Sequence, residues 1–265
     1  MLDALFDFSP LPQFLAFCVF SALMLGVSFV WLSFLHRRWA THLSLLPAGS
    51  VFTPVAAIFA LFLTFLAVDI WAQQRQASDA AMKEQVAMQR LRDLASPAAL
   101  NAPASLLMMA RYVEAVSTQE WGSNYNRQPS PIAAEALRDL RFYVVRLSAT
   151  GAPSVLVNEW LASVQNLEDA RFRRLFIGAD HTDNNQWTVV LLLALFTHLI
   201  LAAAHMDRPP AGRLVLVLFS LTATLALWQL AMHTNPYAGG VTRVEDPFRV
   251  LSPTLGPEVV APPAS

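Results

Sequence analysis

The chain has 265 residues, of which 55% are hydrophobic and 14% charged, with a formal net charge of −1. Charged residues make up about a quarter of an ordinary soluble domain, so this composition excludes a conventional soluble globule. Without a basic excess it also gives no ground for a nucleic-acid partner. A single cysteine, Cys18, rules out an intrachain disulfide and a thiolate metal cluster. Lys83 is the one lysine among 18 basic residues, a usage that favours planar, multiply bonded guanidinium contacts.

The first apolar run, Leu11 to Leu35, is long enough to span a bilayer with some tilt. It follows Asp3 and Asp7 and ends at His36, Arg37 and Arg38. A secretory signal would carry a basic start and a small-residue cleavage site, so this run reads as a retained helix. Thr41 to Ser50 reads as a short loop, with Pro54 in the first turn of the next helix, where its missing donor costs little. From Val51 the chain passes through a second span to Trp71 and on into a charged, Ala- and Gln-rich amphipathic run ending at Ala95. Read as one helix, this stretch would be roughly 65 Å long, about twice the hydrocarbon thickness of a bilayer.

Beyond Ala72 apolar residues fall at helical rather than alternating spacing. Ala81, Val86, Met88, Leu91 and Leu94 form one stripe. A second helix after Asn101 and Pro103 carries Leu107, Tyr112, Val113, Val116 and Trp121. Ser130 followed by Pro131 reads as an N-cap with proline at the first helical position, opening a third helix through Leu147. Val155 to Ile177 forms a fourth, placing Val157, Trp160, Val164, Leu167, Arg171 and Leu175 at bundle spacing. Trp187 to Ala204 and Leu214 to Met232 are two further spans, joined by a short loop containing Pro209 and Pro210. The tail from Val241 is Pro-rich and irregular, with an apolar segment near Phe248 that docks.

The expected fold is therefore an all-α membrane protein: four transmembrane helices with a four-helix soluble bundle inserted between the second and third spans. Spans 1 and 2 occupy 1–71, the bundle 72–186, spans 3 and 4 187–232, and the tail 233–265. It sits multi-pass in a cell membrane, read as a bacterial inner membrane, in contact with lipid. Arg37, Arg38, Arg208 and Arg213 lie in the short loops, so the positive-inside tendency favours cytoplasmic loops and an external bundle. Arg75, Lys83, Arg171, Arg173 and Arg174 on the bundle side weaken that bias.

Few side chains suit a functional role in the spans. Ile58, Phe62, Phe65 and Asp69 follow one another at four-, three- and four-residue steps on one helical face. In a ring of subunits they would be pore-lining: an apolar constriction with a ring of carboxylates at its mouth, attractive to cations. The alternatives are ordinary packing or lipid contact for the stripe, and a solvated acid or an arginine partner for Asp69. His198, near the middle of the third span, is an intramembrane polar candidate for proton relay, metal binding or pH response. Its plainer reading is a neutral imidazole bonded to Thr222, Thr224 or Gln229 on the neighbouring span. The acids and bases of the bundle, Glu84, Glu120, Arg171 and Arg174 among them, are mixed as on a solvated face with interhelical ion pairs. Asp180, His181 and Asp183 read as a cap and turn. No nucleotide loop, nucleophile elbow, zinc signature or catalytic acid pair is present, so neither an enzyme nor a cofactor or metal is expected.

The order of parts resembles the bestrophin-like family. The residues that carry the likeness are YVEAVSTQEW at Tyr112 to Trp121, RFRRL at Arg171 to Leu175, Trp187, and DPF at Asp246 to Phe248 followed by Ser252 and Pro253. The sequence departs from that pattern at Arg249, where a glycine is expected soon after DPF. The resemblance implies kinship with pentameric ion channels whose second span lines a narrow apolar neck. By that analogy Ile58, Phe62 and Phe65 would line the neck of a homo-oligomer that passes ions. It also implies a cytoplasmic soluble region, opposite to the loop charges, and the acidic cluster of a calcium clasp is missing. The leading expectation is an oligomeric membrane protein that acts as an ion channel with its second span lining the pore. The rival is a non-conducting scaffold or sensor whose soluble bundle binds a protein or small ligand, with Trp121 and Trp160 as aromatic anchors.

Overall fold

The computed structural model describes residues 6–39, 48–179, 184–238 and 243–249. Among these residues the regular structure is entirely helical. We number the helices α1 (Pro10–Trp39), α2 (Ala48–Ala95), α3 (Pro103–Ala115), α4 (Pro131–Ser148), α5 (Ser154–Ala179), α6 (Asn184–Ala204) and α7 (Pro209–Thr234). Four helical stretches are long and apolar enough to cross a membrane. The chain divides into two compact units: Met1–Ala72 with Thr182–Thr242, and Gln73–His181 with Arg243–Ser265. The 48-residue α2 contributes to both.

In the first unit, α1, α6 and α7 pack with the N-terminal part of α2. Phe17, Met24, Phe59, Leu66, Ile70, Val190, Ala194, Leu227 and Ala231 form one core cluster. Leu32, Leu35, Leu201, Ala202, Met206 and Leu216 form a second. Trp187, in the first turn of α6, is buried, with its ring 4.9 Å from that of Phe6. Apolar packing alone distinguishes poorly between neighbours in lipid, and polar contacts supply register. Ser21 and Ser220 share a hydroxyl–hydroxyl hydrogen bond of 2.6 Å, and Trp228 Nε1 donates to the Pro10 carbonyl at 3.2 Å.

α2 begins at Ala48, earlier than expected, so Ser50 is helical rather than loop. Pro54 consequently lies in the second turn instead of the first, where it removes the donor that would bond the Ser50 carbonyl. The expected loop residues 41–47 lie outside the described residues.

In the second unit the remainder of α2 meets α3 and α5 through Glu84, and α4 packs against α3 and α5. Ser130 is the N-cap of α4, its hydroxyl accepting from Ala133 N at 3.2 Å, with Pro131 at the first helical position. Two stripe residues are misplaced by sequence reading: Val86 and Leu107 are exposed. The buried line of α2 runs through Ala77, Ala80, Ala81, Glu84, Ala87, Met88 and Leu91, which keeps helical spacing only if Glu84 is counted among its members. α3 ends in a single π turn, Val116–Glu120, closed by a Trp121 N to Val116 carbonyl bond of 3.0 Å. Trp121 and Trp160 are both buried, and Trp160 Nε1 donates to the Leu140 carbonyl at 3.1 Å. They are core residues and are not available as anchors for a partner.

Candidate functional site

The two faces of the first part of α2 differ sharply. Phe59, Leu66 and Ile70 are at most 6% exposed within the core, whereas Ile58 is 45%, Phe62 41% and Phe65 60% exposed. Asp69 is partly buried. The Phe62 and Phe65 rings meet edge to face at 6.5 Å between centroids. At about 100° per residue these positions share one side of the helix. The exposed face is thus a continuous apolar strip with aromatic relief and a carboxylate at its C-terminal end. Leu61 and Val68 widen it.

His198 is buried at 1% exposure. Its Nδ1 lies 2.8 Å from the carbonyl of Ala194 in its own helix, and its ring stands edge-on to Phe219 at 4.8 Å. The expected partners on the neighbouring span do not reach it. Thr222 and Thr224 donate instead to the carbonyls of Leu218 and Ser220, one turn back. Hydroxyls in apolar helices satisfy themselves in this way when no cross-helix acceptor is close. Asp180, His181 and Asp183 lie outside the described residues.

Within the second unit the charges are not all on a solvated face. Arg111–Glu135 and Arg141–Glu168 are exposed ion pairs of the expected kind. Glu84, Glu120, Arg171 and Arg174, by contrast, are buried together. Glu84 accepts from Tyr112 Oη at 2.6 Å and from Arg174 Nε at 2.6 Å and Nη2 at 2.9 Å. Glu120 accepts from Arg174 Nη2 at 2.8 Å, Arg171 Nε at 3.0 Å and the Ser130 backbone N–H at 2.7 Å. Arg174 also donates to Asn126 Oδ1 and lies over the Trp121 ring at 5.3 Å. Arg171 Nη2 donates to the Ser130 carbonyl at 3.0 Å. Two acids and two guanidinium groups balance in charge, which is what allows ions to be buried.

The electrostatics follow from that arrangement. Burial and then the Glu84 charge push the Tyr112 phenol well above its ordinary range, so it remains a donor. For Glu120 burial acts upward, but the Arg171 hydrogen bond and the charges of Arg174 and Arg171 prevail and hold the carboxyl below its usual value. Burial acts to lower Arg174, and the Glu84 charge and hydrogen bond reverse it, so the guanidinium is held above its ordinary value.

The sequence signal for this network was present in the register: Glu84 and Arg174 occupy apolar positions of their stripes. The C-terminal DPF element joins the same neighbourhood. Phe248 is fully buried, its ring 6.0 Å from Tyr112, and its N–H donates to Asp246 Oδ1 at 2.9 Å. Arg249 N–H reaches the Asp246 carbonyl at 3.3 Å, closing a turn without the expected glycine.

The fold has solved counterparts. A bacterial bestrophin homologue from Klebsiella pneumoniae superposes with a TM-score of 0.66 at 14% identity, covering 88% of this chain and 95% of that one. A point-variant structure of a Klebsiella pneumoniae homologue gives 0.68 at 13% identity, covering 92% and 96%. No curated protein matches the chain in sequence. At such identities the structural likeness establishes the fold alone. Family membership rests on the sequence: the model of the bestrophin-like domain matches residues 18–248, a span that includes the exposed α2 face, the buried ion network and the docked Phe248, and the chain belongs to the bestrophin-like family.

Proposed function

We propose that the protein is a homo-oligomeric ion channel, with the Ile58, Phe62 and Phe65 face of α2 lining an apolar neck around a central axis and Asp69 at the neck's mouth. The second unit, an extramembrane helical bundle, forms a vestibule. By family analogy the ring is a pentamer. The observation that carries this reading is the division of α2 into a core face and an exposed aromatic face. A rim of subunits around an axis gives such a face a role that lipid contact does not, because aromatic constrictions can gate by dewetting. Membership of the bestrophin-like family supports the same reading. The rival, a partner-binding scaffold, loses its proposed anchors, since Trp121 and Trp160 are interior.

The test is the subunit number of the purified protein in lipid, read by native mass spectrometry, together with ion flux in vesicles. A closed ring that conducts is the expected result. A monomer, or a ring with the Phe62 face turned outward, would sink the proposal.

A further inference from the structure

On the reading of the protein as a channel, we infer that Asp69 determines the class of ion, making the conduit cation-selective. Three observations on α2 carry this. First, Asp69 belongs to the exposed strip: it lies seven residues beyond Phe62 and four beyond Phe65, both exposed, and therefore on their side of the helix. Second, the carboxylate has no ion pair or hydrogen bond with any of the described residues, so the alternative of an acid neutralised by an arginine of its own chain is not realised there. Third, its charge is not offset along the strip. The sequence from Phe52 to Val68 carries no charged residue, and Arg75, the next charged residue, projects about 120° away around the helix. The next positions on the Asp69 side, Gln73 and Gln76, are neutral.

An unpaired carboxylate next to apolar walls is a focused negative potential. Low-dielectric surroundings concentrate field lines into the aqueous space, raising the local concentration of cations and lowering that of anions. Repeated once per subunit around an axis, Asp69 is a ring of the kind that selects cations by charge. The neck residues themselves, being apolar, carry no preference for sign. Selectivity by charge therefore falls to Asp69, and permeation by dewetting to Phe62 and Phe65.

The full-length protein in phosphatidylcholine vesicles under a potassium chloride gradient gives the potassium-to-chloride permeability ratio from its reversal potential. The ratio is expected to exceed one for the wild type, to fall roughly fivefold or more in Asp69→Asn, and to recover in Asp69→Glu. Asp69→Ser serves as a second neutral variant should the amide assemble poorly, and native mass spectrometry reports assembly for each. A ratio that favours chloride in the wild type, or one untouched by both neutral variants, overturns the assignment while leaving the channel reading intact. Absence of ion flux from the assembled wild type overturns both.

Discussion

A Cβ added to Gly178 of α5 would collide with the Asn126 backbone oxygen and stand 2.9 Å from its Cβ. Neither is the far end of a flexible side chain, so the Asn126 loop would have to move. That loop holds the carboxamide against Arg174, and its own left-handed backbone, with φ of 60° at Asn126, leaves little freedom. Gly178→Ala is expected to destabilise the second unit by about 1–3 kcal/mol, measured as a lower thermal midpoint; an unchanged midpoint would contradict the close approach. Glu120 makes a second prediction. Its folded pKa lies below the unfolded one, so its stabilisation is complete above the ordinary carboxylate range and is lost as pH falls through the folded value. Glu120→Gln should therefore be clearly less stable than wild type near neutrality, with the gap narrowing as pH falls below the ordinary carboxylate range. A gap that stays constant with pH would place the effect in shape rather than charge.

At the scale of elements, the π turn after α3 and the DPF turn solve related problems. Tyr112, Val116 and Glu120 follow one another every four residues and are all buried. In a regular α-helix such positions drift around the axis, and the wider turn at Val116–Glu120 counters the drift and keeps Glu120 facing the arginines. π turns recur at functional positions for this reason, since they re-aim a side chain without breaking a helix. The DPF turn delivers one fully buried aromatic ring from an otherwise irregular segment, with Arg243, Glu245 and Arg249 left exposed. Phe248→Ala should cost about 3 kcal/mol, because the cavity it leaves lies against Tyr112 and cannot collapse without disturbing the Glu84 hydrogen bond. Loss of protection of the Arg243 to Arg249 amides from hydrogen exchange would accompany it, and full retention of that protection would argue that other contacts hold the turn.

At the scale of the whole molecule, the exposed side of α2 is the face on which the proposed function rests. Phe62→Ala removes the bulk of one proposed constriction residue without touching the core face, so subunit number should stay the same while ion flux rises roughly twofold or more. Equal flux in an intact ring would remove Phe62 from the conduction path. Cysteine labelling from either side of the membrane would decide orientation, on which the loop arginines and the family resemblance point in opposite directions.

The order of helices, the apolar runs long enough to span and the Ser130–Pro131 cap were determined by the sequence alone. Each is a local matter of hydrophobic period, chain length or capping chemistry, legible wherever it occurs. The likeness carried by YVEAVSTQEW, RFRRL and DPF was legible as well, and two of those stretches supply Glu120, Arg171 and Arg174. What they do was not legible: acids and bases spaced along helices look the same whether they face water or one another. Only the packing of α2, α3 and α5 brings Glu84, Glu120, Arg171 and Arg174 into one dry, balanced cluster across as many as 90 positions of sequence. His198 shows the reverse case, where a cross-helix partner was reasonable by composition and the tertiary structure turned each polar group back onto its own helix. Burial and partnership are properties of the assembled fold, because they depend on which distant surfaces exclude water together.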